Sequence, residues 1–205
     1  MQNLFKDVGS LDRRCYDTFG LSEALLMEHA AEAMAVQIRE RFQEGSRVQI
    51  VCGPGNNGAD GIALGRLLYG RYSVTLQLPH GAKSEMAQWQ RECARRIGVR
   101  EADEMESCDV LVDALFGSGL SRQLDGRPAS VLSQMNSSHA FKLACDMHTG
   151  VFADGRCDTA VFRADLTVSM VALKRGMFSD AAKEAVGEIV VADLGVDRSV
   201  YETNS

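Results

Sequence analysis

The chain has 205 residues, a length that favours one domain able to bury roughly 70% of its unfolded surface. Its 22 basic and 28 acidic residues leave a net charge of -6, which argues against broad electrostatic binding to nucleic acid. The sequence has no run near the roughly 20 apolar residues of a membrane span, and its N-terminus lacks the apolar segment of a signal peptide. We therefore expect a single domain over residues 1–205 with neither nucleic acid nor a membrane as a partner.

The hydrophobic pattern predicts a long helix first. Ser22 is suited to cap it, apolar residues recur at helical spacing from Met27 to Phe42, and Gly45 ends it. Next, the pattern predicts a buried strand at 48–52, a turn at 53–60 and a helix at 61–68. Further strands are predicted at 73–78, 110–116, 141–145, 166–171 and 189–192, and further helices at 84–97 and 129–135. In the helix over 84–97, the side that carries Met86, Trp89, Cys93 and Ile97 is predicted to be the apolar one.

Strands that alternate with helices indicate an α/β fold with a mainly parallel sheet covered on both faces. In such folds, ligands bind in the crevice beyond the carboxyl ends of the strands. The six cysteines show no CxxC spacing, so a zinc ribbon is not expected. Cys52, Cys108 and Cys145 lie in or beside apolar runs, so we expect buried thiols and a cytoplasmic location.

Three predicted strand ends carry polar residues together with glycines. They are GPGNNGAD at 53–60, DALFGSGLSR at 113–122 and DMHTG at 146–150. One such segment alone is equally consistent with an ordinary turn, because Asp, Asn and Gly are turn residues. Three of them at one edge of a parallel sheet predict a small-molecule site, with glycines that let the backbone approach the ligand.

The first segment also matches the GxGxxG pattern of dinucleotide-binding folds. Such folds usually carry an acidic residue about 20 residues later, at the end of the second strand. Here that strand ends in Leu78-Pro79-His80, and Asp60 lies where the field of the following helix would otherwise attract a pyrophosphate. The amides of Asn56 and Asn57 are better suited to a neutral polar group or a hard cation than to a pyrophosphate.

Asp113 and Asp146 follow two other predicted strands and have two interpretations. They are satisfied turn carboxylates, or they converge with Asn57 and the Thr149 hydroxyl on a common site. A set of oxygen ligands suits a hard cation rather than zinc. A carboxylate that remains uncoordinated could act as a general acid or base.

These segments, in this order, resemble the GNNGGD, DALFGTGL and DIPSG segments of the NAD(P)H-hydrate epimerase family, the YjeF N-terminal domain. The segment FGLSEALLMEHAA is similar to the family's N-terminal helix, and LTVSMVALKRG with GEIVVADLG to its C-terminal strands. The resemblance covers nearly the whole chain. It implies a Rossmann-like three-layer αβα sandwich, epimerisation of the R and S forms of hydrated NADH and NADPH, and a bound potassium ion (K+).

The resemblance also implies roles for individual residues. By motif position, Asn57, Asp113 and Thr149 are the implied K+ ligands, and Asp146 is the implied general acid/base. Substrate contacts are implied for Asn56, Asn57, Gly58, Ala59, Asp60, Gly117, Ser118, Gly119, Leu120, Ser121, Arg122, Gln123 and Asp146. The phosphates would fall to 118–122, where backbone N–H groups and Arg122 are available, although Arg122 is also readable as a solvated surface arginine.

Several residues depart from the family pattern, among them His29 and Ala31 in LMEHAA, where the family has LMENAG. Thr149 keeps the hydroxyl of the family's serine. His148 replaces a proline and adds a group expected to titrate near physiological pH, which either tunes the site or marks relaxed selection. Ala59 replaces a glycine and does not readily adopt a positive φ, so the shape of the loop is an open question.

Two alternatives to an active epimerase remain. One is a catalytically impaired ligand-binding or protein-interaction module, as related domains in apolipoprotein-binding and decapping-enhancer proteins suggest. The other, an NAD(P)-dependent dehydrogenase, is weaker because the acidic residue that binds the ribose is missing. The resemblance further implies a homodimer and a functional link to a separate NAD(P)H-hydrate dehydratase.

Overall fold

Parallel strands and helices alternate along most of the chain. The computed structural model describes residues 4–5, 15–120, 122–197 and 200. The strands are β1 (Leu4–Phe5), β2 (Arg47–Cys52), β3 (Ser73–Gln77), β4 (Arg100–Glu101), β5 (Val110–Ala114), β6 (Phe141–Cys145), β7 (Leu166–Met170), β8 (Leu173–Lys174) and β9 (Glu188–Ala192). The helices are α1 (Glu23–Arg41), α2 (Asn56–Leu68), α3 (Glu85–Ile97) and α4 (Gly126–Ser137), and a 3-10 helix spans Arg175–Phe178.

Seven of the strands form one parallel sheet in the order β4-β3-β2-β5-β6-β7-β9. The chain runs outward from β2 to β4, returns to β5 beside β2, and continues to β9. The strand order therefore reverses between β2 and β5, and the crevice at such a point is where open α/β sheets bind ligands. Strands β1 and β8 pair separately in a two-stranded parallel sheet.

Helices cover both faces of the large sheet, which confirms the predicted α/β fold. Residues of α1, α2 and α3 share one core cluster with Val48, Ile50 and Cys52 of β2. On the other face, α4 packs with Val51 of β2 and Leu111 of β5. Alternate side chains of β2 thus pack into two hydrophobic cores, one on each face of the sheet, and the result is a three-layer αβα sandwich.

The start of α1 agrees with its sequence signal, and its end does not. Ser22 caps the helix, with its Oγ accepting a hydrogen bond from the Leu25 N–H at 3.3 Å. The helix ends at Arg41 rather than at Gly45, because Phe42 is already extended at φ -129. Strands β5 and β7 also end earlier than predicted, at Ala114 and Met170.

The prediction for the buried side of α3 was wrong. Ala87, Gln90 and Ala94 are the buried residues of this helix, while Trp89 and Ile97 are each 48% exposed. The reason is a polar contact with α1: the Gln90 side chain is fully buried and its Nε2 donates to a Glu28 oxygen at 3.2 Å. Small residues on either side of Gln90 let α3 lie close to its neighbours.

Helix α2 begins at Asn56, five residues before the predicted start. Gly55 is its N-cap, with an extended backbone at φ -101 and ψ -160. The turn after β2 therefore consists only of 53–55, and Asn56 to Asp60 form the first turns of the helix. Ala59 is fully buried in the helix interior with a negative φ, so it occupies a conformation that alanine favours.

Close packing explains why residue 61 of α2 is a glycine. A Cβ built on Gly61 would lie 2.5 Å from the Ala114 Cβ and 3.1 Å from the Ile50 Cγ2. Gly61 thus lets α2 approach β2 and β5 near the reversal point of the sheet. Of the helices that the structure describes, none is long and apolar enough to cross a membrane.

The packing of Gly61 predicts that Gly61→Ala destabilises the protein by at least about 1 kcal/mol. Overpacking of an interior costs about 1–3 kcal/mol, and the cost here lies in the upper half of that range because the Ala114 Cβ cannot rotate away. After a gain of about 1 kcal/mol in helix propensity, a net loss of about 1–2 kcal/mol remains. Urea unfolding followed by circular dichroism measures the change. Gly119→Ala is the control, because a Cβ there meets nothing within 4 Å and should change stability by less than about 0.5 kcal/mol. Equal effects of the two variants would contradict this account.

Candidate functional site

A cavity of about 410 Å³ lies beyond the carboxyl ends of the central strands. Its walls come from the segments that follow β2, β5 and β6, and from the start of α1. It lies at the reversal point of the strand order, where the topology predicts a ligand. The structure brings eight of the predicted substrate contacts to this cavity, namely Asn56, Asn57, Asp60, Gly117, Ser118, Gly119, Leu120 and Asp146.

Other predicted contacts lie elsewhere. Gly58 and Ala59 are buried and do not line the cavity; a Cβ on Gly58 would lie 1.9 Å from the Gly53 carbonyl oxygen, so this glycine lets the turn close. Arg122 and Gln123 are exposed and are not part of the cavity wall. Ser121 lies outside the described residues.

Below the cavity, Asp113 joins two strand ends. Its Oδ1 accepts hydrogen bonds from the Thr149 hydroxyl at 2.7 Å and the Leu115 N–H at 3.1 Å. Its Oδ2 accepts from the Thr149 N–H at 2.9 Å. The side chain is fully buried, and burial raises the pKa of Asp113 to about 6 although these hydrogen bonds lower it. The carboxylate thus connects the segment after β5 to the segment after β6.

Thr149 and Asn57 extend this group toward the cavity. The Thr149 Oγ1 accepts from the Phe116 N–H at 3.0 Å, and a Cβ on the next residue, Gly117, would lie 2.8 Å from the Asn57 Oδ1. The structure therefore places the three predicted K+ ligands around one loop. Within the described residues, the Asn57 Nδ2 is buried without a hydrogen-bond partner. An amide with one unsatisfied end can turn its oxygen toward a cation.

These oxygens fit a monovalent or other hard cation better than a transition metal. The set has one carboxylate, one hydroxyl and one amide, and no positive side chain in the described part of the chain pairs with the buried carboxylate. In the described part of the chain, no group of three or more His, Cys, Asp or Glu side chains could hold a metal ion. A cation bound here would offset the cost of burying the charge of Asp113.

Asp146 lies at the floor of the cavity in an unusual conformation. It is 9% exposed and has a φ of 66, in the left-handed region that non-glycine residues rarely adopt. Its Oδ1 accepts a hydrogen bond from the Met170 N–H at 3.0 Å and contacts the Lys174 Nζ. The sequence analysis missed Lys174, which is fully buried. A lysine at the end of the apolar run LTVSMVALK was the available signal.

The first turn of α1 supplies a second feature that the sequence analysis missed. Glu23 lines the cavity, and its Oε1 accepts a hydrogen bond from the Asn56 Nδ2. Leu26 and Met27 add an apolar wall on the same side, and Met170 adds to it from β7. The cavity therefore combines an apolar side with polar groups at the strand ends, as small-molecule sites commonly do.

His148 is not the titrating group at the site that the sequence led us to expect. The side chain is fully buried, and its Nε2 lies 2.7 Å from the Thr167 hydroxyl oxygen. The Thr167 hydroxyl donates to the Val186 carbonyl oxygen at 2.7 Å, so it accepts from a protonated Nε2. Burial lowers the pKa of His148 to about 4. The prediction of titration near physiological pH was wrong, because the imidazole is buried outside the cavity rather than exposed in it.

The buried imidazole should make folding sensitive to acid. Between pH 6.5 and about pH 4 the unfolded chain binds a proton at His148 that the folded chain excludes, so stability falls as the pH falls. We expect a loss of up to about 3 kcal/mol from this group, since one pKa unit is about 1.4 kcal/mol.

The test compares the wild type with His148→Gln in urea unfolding from pH 7 to pH 4. The difference in stability between the two proteins should change with pH in this window, whereas effects of all other groups cancel. A difference that is constant with pH would contradict the prediction.

Comparison with known proteins identifies the family. The family model for the YjeF-related protein N-terminus matches residues 23–176. The bifunctional NAD(P)H-hydrate repair enzyme Nnr of Helicobacter pylori is 38% identical over 209 residues, which cover 98% of this chain and 44% of that protein. The chain thus spans less than half of this bifunctional relative.

Shorter relatives match along most of their length. The NAD(P)H-hydrate epimerase of Oenococcus oeni is 34% identical over 93% of this chain and 95% of its own, and that of Limosilactobacillus fermentum is 31% identical over 89% and 91%. The crystal structure of yeast ynu0 superposes with a TM-score of 0.76 at 18% identity, covering 100% of this chain and 98% of that one, which shows a shared fold. The chain belongs to the YjeF N-terminal family.

Proposed function

We propose that this protein is an isomerase that interconverts the R and S forms of hydrated NADH and NADPH. The observation that carries the proposal is Asp146, a carboxyl group held in a strained backbone conformation at the floor of a cavity of about 410 Å³. The near full-length relatives named NAD(P)H-hydrate epimerase support the same reaction. Strained non-glycine residues cluster at functional sites, where the surrounding structure enforces them.

The chemistry needs one proton donor and acceptor. The substrate carbon bears a hydroxyl group and is bonded to the ring nitrogen. If Asp146 protonates the hydroxyl, the nitrogen lone pair expels water and a planar cationic carbon–nitrogen double bond forms. Water can then add from either face while Asp146 takes the proton back. The R and S forms interconvert without an oxidant or a reductant.

The cavity walls suggest how the substrate is held. Leu26, Met27 and Met170 offer an apolar surface to the nicotinamide ring, and the Asn56 and Asn57 amides lie at the polar end. The backbone of Gly117–Leu120 is available to the phosphates. Arg122 and Gln123 follow this segment in the sequence and are exposed. They would contact only the part of the nucleotide that extends out of the cavity.

We also propose that Asn57, Asp113 and Thr149 hold a potassium ion. Potassium prefers oxygen ligands, and a buried carboxylate with a raised pKa gains from a nearby positive charge. Bound there, the ion would supply positive charge beneath the cavity and fix the loop around Phe116. The proton transfer itself is assigned to Asp146.

The non-catalytic alternative rested on Ala59 and His148. Both residues are buried outside the cavity with a negative φ, and among the described residues neither makes a side-chain hydrogen bond to Asp146. The enzyme is therefore the function that the geometry supports best. The homodimer, the cytoplasmic location and a functional link to a separate NAD(P)H-hydrate dehydratase belong to this proposal. The bifunctional repair enzymes among the relatives support the functional link itself.

Asp146→Asn should abolish catalysed epimerisation. Asparagine keeps the shape of the side chain but cannot act as a general acid, so we expect a fall in rate of at least about 100-fold. Proton NMR of a mixture of the two epimers, prepared away from equilibrium, follows their interconversion with K+ present. A wild-type rate equal to that of buffer would overturn the proposed function, and an active Asp146→Asn variant would overturn the role of Asp146.

Removal of the Thr149 hydroxyl should weaken the response to potassium. Thr149→Val keeps the shape but leaves the Phe116 N–H without its acceptor and removes one of the three hydrogen bonds to Asp113, so we expect the K+ concentration for half-maximal rate to rise about tenfold. Rates are measured against KCl at constant ionic strength. Thr149→Ser is the matched control because it keeps the hydroxyl and should retain the wild-type response. A wild type that is indifferent to K+ would contradict the assigned ligands.

A further inference from the structure

Lys174 is a buried cation whose surroundings are defined in detail. Its side chain is fully buried, and its Nζ contacts the Asp146 Oδ1. The same nitrogen lies 2.8 Å from the Met170 carbonyl oxygen and 3.1 Å from the Ser169 Oγ. Lysine is almost never fully buried unless it is paired. Lys174 does not line the cavity, whereas Asp146 and Met170, which it contacts, both do, and of these two Asp146 carries the group that can exchange a proton with a ligand.

The two carboxyl oxygens of Asp146 differ in their contacts. Oδ1 receives both the Met170 N–H and the Lys174 Nζ. Within the described part of the chain, this leaves Oδ2 as the oxygen that can meet a substrate. The two contacts of Oδ1 therefore fix the orientation of the carboxyl group and leave Oδ2 as the oxygen that faces a ligand.

Backbone strain marks both sides of this contact. Asp146 at φ 66 and Val171 at φ 65 are the two described non-glycine residues with a positive φ. Val171 turns the chain between β7 and β8, and β8 ends at Lys174. A branched side chain in this region costs about 1–3 kcal/mol, and such strain persists only where the structure enforces it. The two strained residues thus bring the ammonium and the carboxyl group together.

Stability alone does not account for this arrangement. A buried ion pair carries a large desolvation cost, and its replacement by apolar residues is often neutral or stabilising. Here the pair is combined with two unfavourable backbone conformations, and one partner lies at the floor of the cavity. A role in the chemistry of the site explains why both features occur together.

We propose that Lys174 is a positioning residue for the epimerisation, which clamps Oδ1 of Asp146 so that Oδ2 exchanges the proton with the substrate oxygen. This inference rests on the proposed function. In the reactive form, Asp146 has taken up a proton from water at Oδ2. As the carbon–oxygen bond breaks, this proton passes to the leaving oxygen, which departs as water, and the ring nitrogen supplies the electron pair of the new double bond. The carboxylate that forms lies between the Lys174 ammonium and the cationic ring. When water adds, its proton returns to Oδ2, and Lys174 keeps its own protons throughout.

The test compares four substitutions in the epimer interconversion assay. Lys174→Met removes the charge, Lys174→Gln keeps hydrogen bonding without the charge, and Lys174→Arg keeps both. We expect kcat to fall about 100-fold in the Met and Gln variants with KM changed by less than about threefold, and Arg to restore at least about tenfold of that loss. Lys183→Met is the control, because Lys183 is half exposed and pairs with Asp180 at 2.7 Å on the surface; it should behave as wild type.

A double variant separates a role through Asp146 from an independent one. Asp146→Asn with Lys174→Met should be no slower than Asp146→Asn alone, because the two residues act in one step. Circular dichroism and thermal unfolding check that each variant is folded. If Lys174→Met does not fold, Lys174→Gln replaces it in both comparisons. The double variant lacks both charged groups, so it does not leave Asp146 as an unpaired buried charge, as Lys174→Met alone does.

The outcomes distinguish this inference from the proposed function. A wild type that does not accelerate the reaction overturns the proposed function and the inference with it. If the wild type is active and Asp146→Asn is not, a folded Lys174→Met or Lys174→Gln variant with kcat within threefold of wild type overturns the inference alone. Additive losses in the double variant, or an Arg variant as slow as Met, would also overturn it.

Discussion

The buried carboxylate of Asp113 is the constraint on which the site depends. Its two oxygens accept three hydrogen bonds from Leu115 and Thr149, and so they connect the chain after β5 to the chain after β6. The Thr149 hydroxyl then holds the Phe116 N–H, which places Gly117 against Asn57 at the start of α2. One charged group thus determines the relative positions of three loops. Its burial is costly on its own, which is the physical reason to expect a cation beside it.

The second half of the site combines hydrogen bonds to Asp146 with backbone strain. Asp146 and Val171 both adopt a positive φ, yet β6 pairs with β7 through Cys145, and β7 pairs with β9 through Met170, in regular register up to the residue before each of them. The sheet therefore holds the strand ends in place while the residues just beyond them take unfavourable conformations. The Asp146 N–H still donates to the Val168 carbonyl oxygen at 2.9 Å, so the ladder continues through the strained residue. The hydrogen bonds of the parallel sheet thus offset the free-energy cost of the strained conformation at its edge.

The sequence allowed the sheet and the three polar strand ends to be predicted, because both follow from local patterns. Strand β6 has the predicted bounds, and eight of the predicted contacts line one cavity. The start of α2 was missed because Asn and Gly are common in turns and here form a helical first turn. The buried side of α3 was missed because a polar contact of Gln90 outweighs apolar periodicity. The apolar run before Lys174 is a local signal for its burial, but its contact with Asp146 and the burial of His148 against Thr167 involve residues distant in sequence, which no local pattern contains.

The glycine pattern after β2 shows how one sequence signal supports two kinds of site. In a dinucleotide fold, the N-terminus of the helix that follows such glycines attracts a pyrophosphate. In this protein the same helix end already has an acidic neighbour, since Glu23 of α1 accepts a hydrogen bond from Asn56 in the first turn of α2. A phosphate there would meet a carboxylate, so the positive end of the helix is less available to it. Within the described part of the chain, no acidic side chain hydrogen-bonds to the backbone of Gly117–Leu120, which also lines the cavity. For the proposed substrate, this backbone is therefore the better place for the phosphates.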